Sequence, residues 1–445
     1  YRPQFHFTPP LHWINDPNGL LFQNGKYHLF YQHNPMGIRW GHMSWGHAIS
    51  KDLVHWEILP VAIAEEKDTM IFSGTCVADI NNTSGFGKNG KVPLVAIYTG
   101  HIEGINQSQH IAYSLDDGIT WTKYNKNPVL DLHKRDFRDP KVFWYEAKKY
   151  WVMALMFPVE HIVQFYSSAD LKEWNHLSDF GPVGDTSGVW ECPDLTQVPI
   201  DGEPGKKKWL LQMSQNASMQ YFVGEFDGVK FINENPADKI LRPDYGPDYY
   251  AAIAYNQLPA SHLPTAIGWI NNWYYAQDIP TMPWRSMMSI PRTLSVKNIN
   301  GEWNLIQQPI ESFKSLRSAP VITMNTIVID KSRLLPAKSQ QFEMDLTIEP
   351  AANSTCGVRL AAGNGHQFEI GYDASTQILY MDRSKTGNTS FSQEFEKRSR
   401  SETKLPLNKG QLQLHIFFDK SVIELFANNG QVAMTMQLFP GETDS

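Results

Sequence analysis

A short apolar strand returns five times along this chain, and its regular return is what most narrows the folds open to it. It reads Lys26-Tyr-His-Leu-Phe-Tyr31, Lys91-Val-Pro-Leu-Val-Ala-Ile-Tyr98, Lys149-Tyr-Trp-Val-Met-Ala-Leu155, Lys208-Trp-Leu-Leu-Gln-Met213 and Pro264-Thr-Ala-Ile-Gly-Trp269, at intervals of 65, 58, 59 and 56 residues. A second element keeps step with it, an Asp followed four residues later by an aromatic: Asp52 and Trp56, Asp117 and Trp121, Asp170 and Trp174, Asp227 and Phe231. Ser50, Ser114 and Ser168 stand just ahead of three of these. Each copy reads as a strand, a turn and a returning strand. Five such units, all strand and turn, predict an all-β chain that opens with a five-bladed β-propeller. Each blade is a four-stranded sheet set radially around one axis.

Three acids fall in phase with that ladder. Asp16 lies in Trp13-Ile-Asn-Asp-Pro-Asn-Gly19, Asp139 in Phe137-Arg-Asp-Pro140, and Glu191 in Trp190-Glu-Cys-Pro-Asp194. They precede the Asp-x-x-x-aromatic element of their units by 36, 31 and 36 residues, so all three belong to the opening strand of a blade. Opening strands line the central channel, and three acids from three blades then converge at one funnel mouth. Proline pushes the residue before it to extended geometry, so Asp16 is expected to sit extended beside a tight turn at Pro17-Asn18-Gly19.

Beyond Arg292 the pattern changes. Ile310-Glu-Ser-Phe-Lys-Ser-Leu316 is short and amphipathic, which predicts a linker helix. From about Val321 the chain alternates in period two, as in Gln341-Phe-Glu-Met-Asp-Leu-Thr-Ile348, with turns such as Asn428-Asn429-Gly430. That predicts a C-terminal antiparallel β-sandwich. The expected organisation is a propeller over residues 1–300, a linker over 301–320 and a sandwich over 321–445. The 445 residues suit two cores better than one. Glu424, inside a sandwich strand, reads as structural.

A net charge of −7 and a pI near 6.1 exclude a nucleic-acid or anionic-membrane surface. No apolar run is long enough to span a bilayer. Three cysteines cannot frame a disulfide scaffold, and the 15 histidines show no metal-ligand spacing, so no metal and no cofactor is expected. The chain opens at Tyr1 rather than Met, which reads as processing, with export the expected location.

Two carboxylates flanking a bond are the equipment of glycoside hydrolysis, and a third can stabilise the positive charge of its transition state. Glu191, between Trp190 and Cys192, is the better acid, because an apolar setting keeps a carboxyl protonated. Arg138 is placed to hold Asp139 ionised or to bind substrate hydroxyls. An inverting arabinanase or xylosidase type of propeller and a sugar-binding lectin are the competing readings. Retention of three acids speaks against the lectin.

The wording of these motifs resembles glycoside hydrolase family 32, the β-fructofuranosidases: invertases, levanases and inulinases. The resemblance rests on Trp13 to Gly19, Phe72-Ser73-Gly74, Phe137 to Pro140, Trp190 to Asp194, Gly41-His-Met-Ser-Trp-Gly-His47, Trp284-Arg-Ser286 and Ser289-Ile-Pro-Arg292. Asn82-Thr-Ser-Gly-Phe86 and Met219-Gln-Tyr-Phe-Val-Gly224 are similar to bacterial exo-levanases. The resemblance implies a retaining double displacement on a fructan or sucrose, with Asp16 as nucleophile, Glu191 as acid/base and Asp139 as transition-state stabiliser. It also implies that Asn15, Gln32, Trp40, Phe72, Ser73, Arg138 and Trp273 line the pocket for the terminal fructosyl unit. Endo-acting levanases and fructosyltransferases use the same residues and stay open. The family's sandwich runs a strand or two past the point matched by Leu438-Phe-Pro440, so a shortened sandwich is expected here.

Overall fold

The computed structural model describes residues 1–441 and 444. The expectation of a sandwich ending short at Ser445 lies outside the described residues. Five sheets follow one another along the chain. Blade I runs His12–Gln23, Lys26–Asn34, Ser44–Ser50 and Trp56–Ile63 from the axis outward. Blade II runs Thr69–Ala78, Leu94–Ile102 and Asn106–Ser114, and its outer edge is shared by Thr122–Lys123 and Leu130–Lys134. Blade III runs Arg138–Tyr145, Tyr150–Phe157, Ile162–Ser168 and Asn175–Phe180. Blade IV runs Trp190–Pro199, Lys207–Gln215, Ser218–Phe226 and Phe231–Asn233. Blade V runs Tyr250–Ala254, Thr265–Ile270, Arg292–Ile299 and Glu302–Pro309. The first strands of successive blades touch one another in a closed ring, I to II to III to IV to V and back to I.

The apolar ladder marks the second strand of every blade. Those strands are buried almost throughout, as in Trp151–Phe157, because neighbouring blades cover both faces. The second ladder marks the loop between third and fourth strands. In blade I, Asp52 Oδ1 accepts the amides of Val54 and His55 at 2.9 and 2.8 Å and the Ser50 hydroxyl at 3.0 Å. In blade II the working acid is Asp116, one residue earlier than expected. It takes the Ser114 hydroxyl at 2.7 Å and the Thr120 amide at 2.9 Å, while Asp117 turns outward to Asn24 at 2.8 Å. Asp117 is left-handed, φ 56°, as are Leu53 and Leu171 at the same station, and the extra residue of this loop is Gly118, φ 81°.

The predicted linker helix is a 3₁₀ turn, Glu311–Leu316, anchored by buried Phe313. The sandwich departs from expectation at its start. Residues 317–340 form no strand, and Val321, Val328 and Leu334 are exposed. Alternation alone does not make a strand without a neighbour to bond it. The two sheets are Gln341–Ile348, Leu412–Asp419, Val422–Ala427 and Val432–Gln437, and Thr355–Gly363, His366–Asp373, Ile378–Lys385 and Arg400–Lys404. One apolar core, including Phe368, Tyr372, Leu414, Ile416 and Met434, joins their inner faces.

Between sandwich and propeller lies a buried polar seam. Arg292 reaches Asp244 at 2.9 Å and Glu424 at 2.5 Å, with no solvent exposure of its side chain. Glu424 also accepts the Ile290 amide and His6 Nε2, at 2.7 and 3.0 Å. His6 Nδ1 meets Asp419, which takes the amides of Gln4, Phe5 and His6 as well. Arg383 bridges to Asp248 at 2.6 Å. Glu424 is thus a structural anchor, as its strand position suggested. An apolar cluster next to it draws Phe7 from the N-terminal segment, Ile14 and Tyr31 from blade I, Ile253 and Ile267 from blade V, and Phe417 and Phe426 from the sandwich.

The seam gives stability a pH dependence of known sign. Burial pulls His6 down, but the hydrogen bonds and charges of Asp419 and Glu424 outweigh it and raise the ring to about 9. Its contribution is complete below the unfolded value of about 6.5 and is lost as pH rises through 9. His28 and His110 are the reverse case, each held down to about 4, chiefly by burial. The unfolded chain binds those protons first, so their contribution is present above about 6.5 and lost as pH falls through 4. The expected outcome is that His6→Gln flattens the alkaline side of the thermal-midpoint profile and His28→Gln flattens the acid side. Wild-type-like profiles in both variants, measured by calorimetry from pH 4 to 9, would refute the assignment.

Candidate active site

All five innermost strands carry the same irregularity at the same place. In blade I, Ile14 pairs with His33 and Pro17 with Tyr31, so one extra residue is packed into the inner strand. The same bulge lies between Ile71 and Gly74, Arg138 and Lys141, Glu191 and Asp194, and Tyr250 and Ile253. The bulged pairs are Asn15-Asp16, Phe72-Ser73, Asp139-Pro140, Cys192-Pro193 and Ala251-Ala252. Bulges re-aim side chains, and here five of them aim at the channel. Arg138, Glu191 and Tyr250 occupy one equivalent position, the last pair before the bulge, in blades III, IV and V.

The expected turn at Pro17-Asn18-Gly19 does not form. The strand continues to Gln23, with a second register shift between Asn18 and Leu21. Gly19 takes φ 53°, and a Cβ there would meet the Phe30 ring at 2.7 Å, so the strand passes the bend only because the residue is glycine. Asp139 also departs from the proline rule. It is left-handed at φ 65°, as are Cys192 at 49° and Ala251 at 52°. The bulge overrides the local preference and stores strain of order 1 kcal/mol at each site.

The three acids do converge. Asp16 Oδ2 accepts the Ser73 hydroxyl at 2.6 Å and the Cys192 thiol at 3.4 Å, and Oδ1 accepts Asn15 Nδ2 at 3.2 Å. Asp139 Oδ2 accepts the Cys192 amide at 2.9 Å, with the Cys192 sulfur 3.7 Å away. Cys192 therefore ties the two buried aspartates together. Glu191 Oε1 accepts from Arg138 Nη2 at 3.0 Å, and Oε2 accepts the Tyr250 hydroxyl at 2.5 Å.

One sequence-based expectation changes here. Glu191 is not in an apolar setting: its side chain is 24% exposed and held between a guanidinium and a phenol. Arg138 bonds Glu191 and Asp136, and its Nε lies 3.9 Å from Asp139, where its charge favours the ionised form. The strongly perturbed acid is Asp139. Burial raises it, Arg138 opposes, and the charges of Glu191 and Asp16 add, leaving it at about 7. Burial also raises Asp16, against the Ser73 hydrogen bond.

The residues expected to line the sugar pocket gather around this trio. Gln32 is the single residue opposite the Asn15-Asp16 bulge; it is buried and its Nε2 has no partner among the described residues. Trp40, Phe72 and Trp273 pack on one apolar cluster with Trp13, Cys192, Tyr250 and Trp269. Trp273 lies 4.8 Å from Trp269 between ring centres, and its indole N–H is buried with no acceptor among the described residues. Sequence reading missed Cys192 and Tyr250 as site residues. Tyr250 follows Glu191 by 59 residues, one blade period, so extending the ladder of acids would have found it. Among the described residues, the one His and acid group close enough to hold a metal ion is Glu343, Asp345 and His415, on the sandwich. There Glu343 is already paired with Arg317 and His415.

Comparison with known proteins agrees with this geometry. Residues 6–309 match the glycosyl hydrolases family 32 N-terminal domain and residues 312–445 the family 32 C-terminal domain. A levanase of Bacillus subtilis is 44% identical across 99% of this chain, which spans 66% of that protein. An extracellular exo-inulinase of Aspergillus niger is 41% identical across 99% of this chain and 90% of its own length. The crystal structure of the exo-inulinase from Aspergillus awamori superposes with a TM-score of 0.92 at 39% identity, covering 100% of this chain and 94% of that one. A β-fructofuranosidase from Schwanniomyces occidentalis, complexed with fructosyl-erythritol, gives 0.88 at 33% identity, covering 99% and 92%.

Proposed function

The chain belongs to glycosyl hydrolase family 32, and from that premise we propose that it releases fructose from β-fructans or sucrose by a retaining double displacement. The observation that carries the reading is the trio itself: two buried aspartates joined through Cys192, and a partly exposed glutamate facing them. Asp16 attacks the anomeric carbon of the terminal fructosyl unit. Its electron pair is aimed by Ser73, Asn15 and Cys192, all of which donate to it. Glu191 gives its proton to the departing glycosidic oxygen, and a fructosyl ester remains on Asp16. Water then loses a proton to the Glu191 carboxylate, adds to the same carbon and frees Asp16. Asp139 accepts hydrogen bonds from ring hydroxyls that strengthen as positive charge develops. Asn15, Gln32, Trp40, Phe72, Ser73, Arg138 and Trp273 hold the sugar. The extracellular relative supports action outside the cell.

Retention is tested by product stereochemistry. β-Fructose is expected as the first-formed anomer in a proton NMR time course; α-fructose appearing first would favour the inverting type of propeller.

The crowding of three acids predicts a pH effect. Burial and the charges of Glu191 and Asp16 hold the Asp139 carboxyl up at about 7 against the pull of Arg138. Hydroxyl donors from the sugar stabilise its carboxylate. Asp139→Asn removes one charge, so the alkaline limb of kcat/KM is expected to move to lower pH, with kcat down by about 10²-fold or more. A limb that stays in place as kcat falls would mean that Asp139 does not tune the acid.

A further inference from the structure

The consecutive aromatics Trp273, Tyr274 and Tyr275 take three different stations. Trp273 belongs to the pocket cluster. Tyr275 is buried at the domain interface, edge-on to Phe395 of the sandwich at 5.1 Å. Tyr274, between them, is 46% exposed, yet it is held at every end. Its hydroxyl donates to Asn216 Oδ1 at 2.7 Å, and its amide donates to the buried Asn272 side chain at 3.1 Å. The Arg398 guanidinium stacks on its ring at 3.7 Å. Arg398 follows the short helix Gln393–Lys397, which is docked on the propeller by Phe395, and its Nη1 is tied to Glu394. Its Nε and Nη2 have no protein partner among the described residues.

Asn216 sits in the turn that joins Gln215 and Ser218, and Gln215 pairs with Trp190, the neighbour of Glu191. Tyr274 therefore stands at the funnel rim on the Glu191 side. That is the side from which the protonated leaving group departs. A rigid, exposed aromatic has already surrendered the freedom that binding would otherwise cost, and the apolar face of a sugar ring fits an aromatic face.

We propose that Tyr274 and Arg398 form an outer subsite, shared by propeller and sandwich, that holds the leaving-group side of a β-fructan chain beyond the residue next to the scissile bond. The C–H face of a fructosyl unit packs on Tyr274, and the free N–H groups of Arg398 donate to its hydroxyls. The sandwich thereby takes part in substrate selection. The inference rests on the reading of the pocket as a fructosidase site.

Affinity electrophoresis through a levan or inulin gel tests the subsite by binding. Wild type is expected to be retarded, and Tyr274→Ala to run faster, with an unchanged thermal midpoint. Tyr274→Phe, which keeps the ring, is expected to stay close to wild type. In hydrolysis, Tyr274→Ala and Arg398→Ala are each expected to lower the ratio of kcat/KM for long fructan to that for sucrose by about fivefold, the scale of one aromatic contact. Equal retardation of wild type and Tyr274→Ala, or a ratio unchanged within about twofold, overturns the subsite. Hydrolysis of neither substrate by wild type, with the gel difference still present, would instead fail the fructosidase reading alone.

Discussion

Glu191→Ala is expected to lose about 10²–10⁴-fold in kcat on a natural fructan, and to recover on an activated aryl fructoside when azide is supplied. The alkoxide of a natural leaving group cannot depart without a proton, whereas an activated phenolate can. Fructose is then stranded on Asp16, because no base remains to activate water. Azide needs no base, fits where the carboxylate was, and should yield a fructosyl azide of retained configuration. Asp16→Ala cannot be rescued in that way, since the attacking atom is gone. Arg138 and Tyr250 flank the vacated space and should keep the pocket in shape. Equal slowing of both substrates with no azide effect would remove Glu191 from the acid/base role.

Arg292→Met should be the most costly change for stability. The guanidinium neutralises Asp244 and Glu424, bonds Thr435, and lies 4.1 Å over the Tyr249 ring, all without solvent. Removing it strands two buried carboxylates, a situation that costs about 3–5 kcal/mol. Adding Glu424→Gln to Arg292→Met should recover part of the loss, because neighbours in one network do not add. Chemical denaturation checks both. A single-variant loss below about 1 kcal/mol would mean that the network is not what joins the domains.

Much of this architecture is legible in the sequence because a propeller repeats. The apolar ladder located the second strand of every blade, and the phase of Asp16, Asp139 and Glu191 placed them on inner strands. What the ladder could not show is the bulge. One extra residue leaves no mark in composition, yet it turns Asp139 left-handed against the preference of the residue before a proline. It also brings Cys192 between two acids. Neighbours across blades were equally hidden: the apolar flanks of Glu191 belong to its own strand, while its side chain meets Arg138 and Tyr250. The slip from Asp117 to Asp116 reflects an insertion that spacing averages away. The alternation after Val321 misled because period two states which way side chains point, and nothing about whether another strand is there to bond.

The buried seam around His6 has a mechanical meaning. Each blade is one uninterrupted stretch of chain, so the ring is a bracelet with a single opening, between blades V and I. Among the described residues, strand pairing across that opening consists of Trp284 and Arg285 with His12 and Trp13 and an isolated bridge from Asn256 to Leu21. The N-terminal segment, Arg292 and the sandwich lie across the same gap and act as its clasp. Unfastening the clasp would let the Asp16 blade part from the Tyr250 blade and bare the apolar faces between them, so clasp and ring hold or fail together. The two domains should therefore unfold in one transition, and a protease that nicks the sandwich should silence a site it never touches.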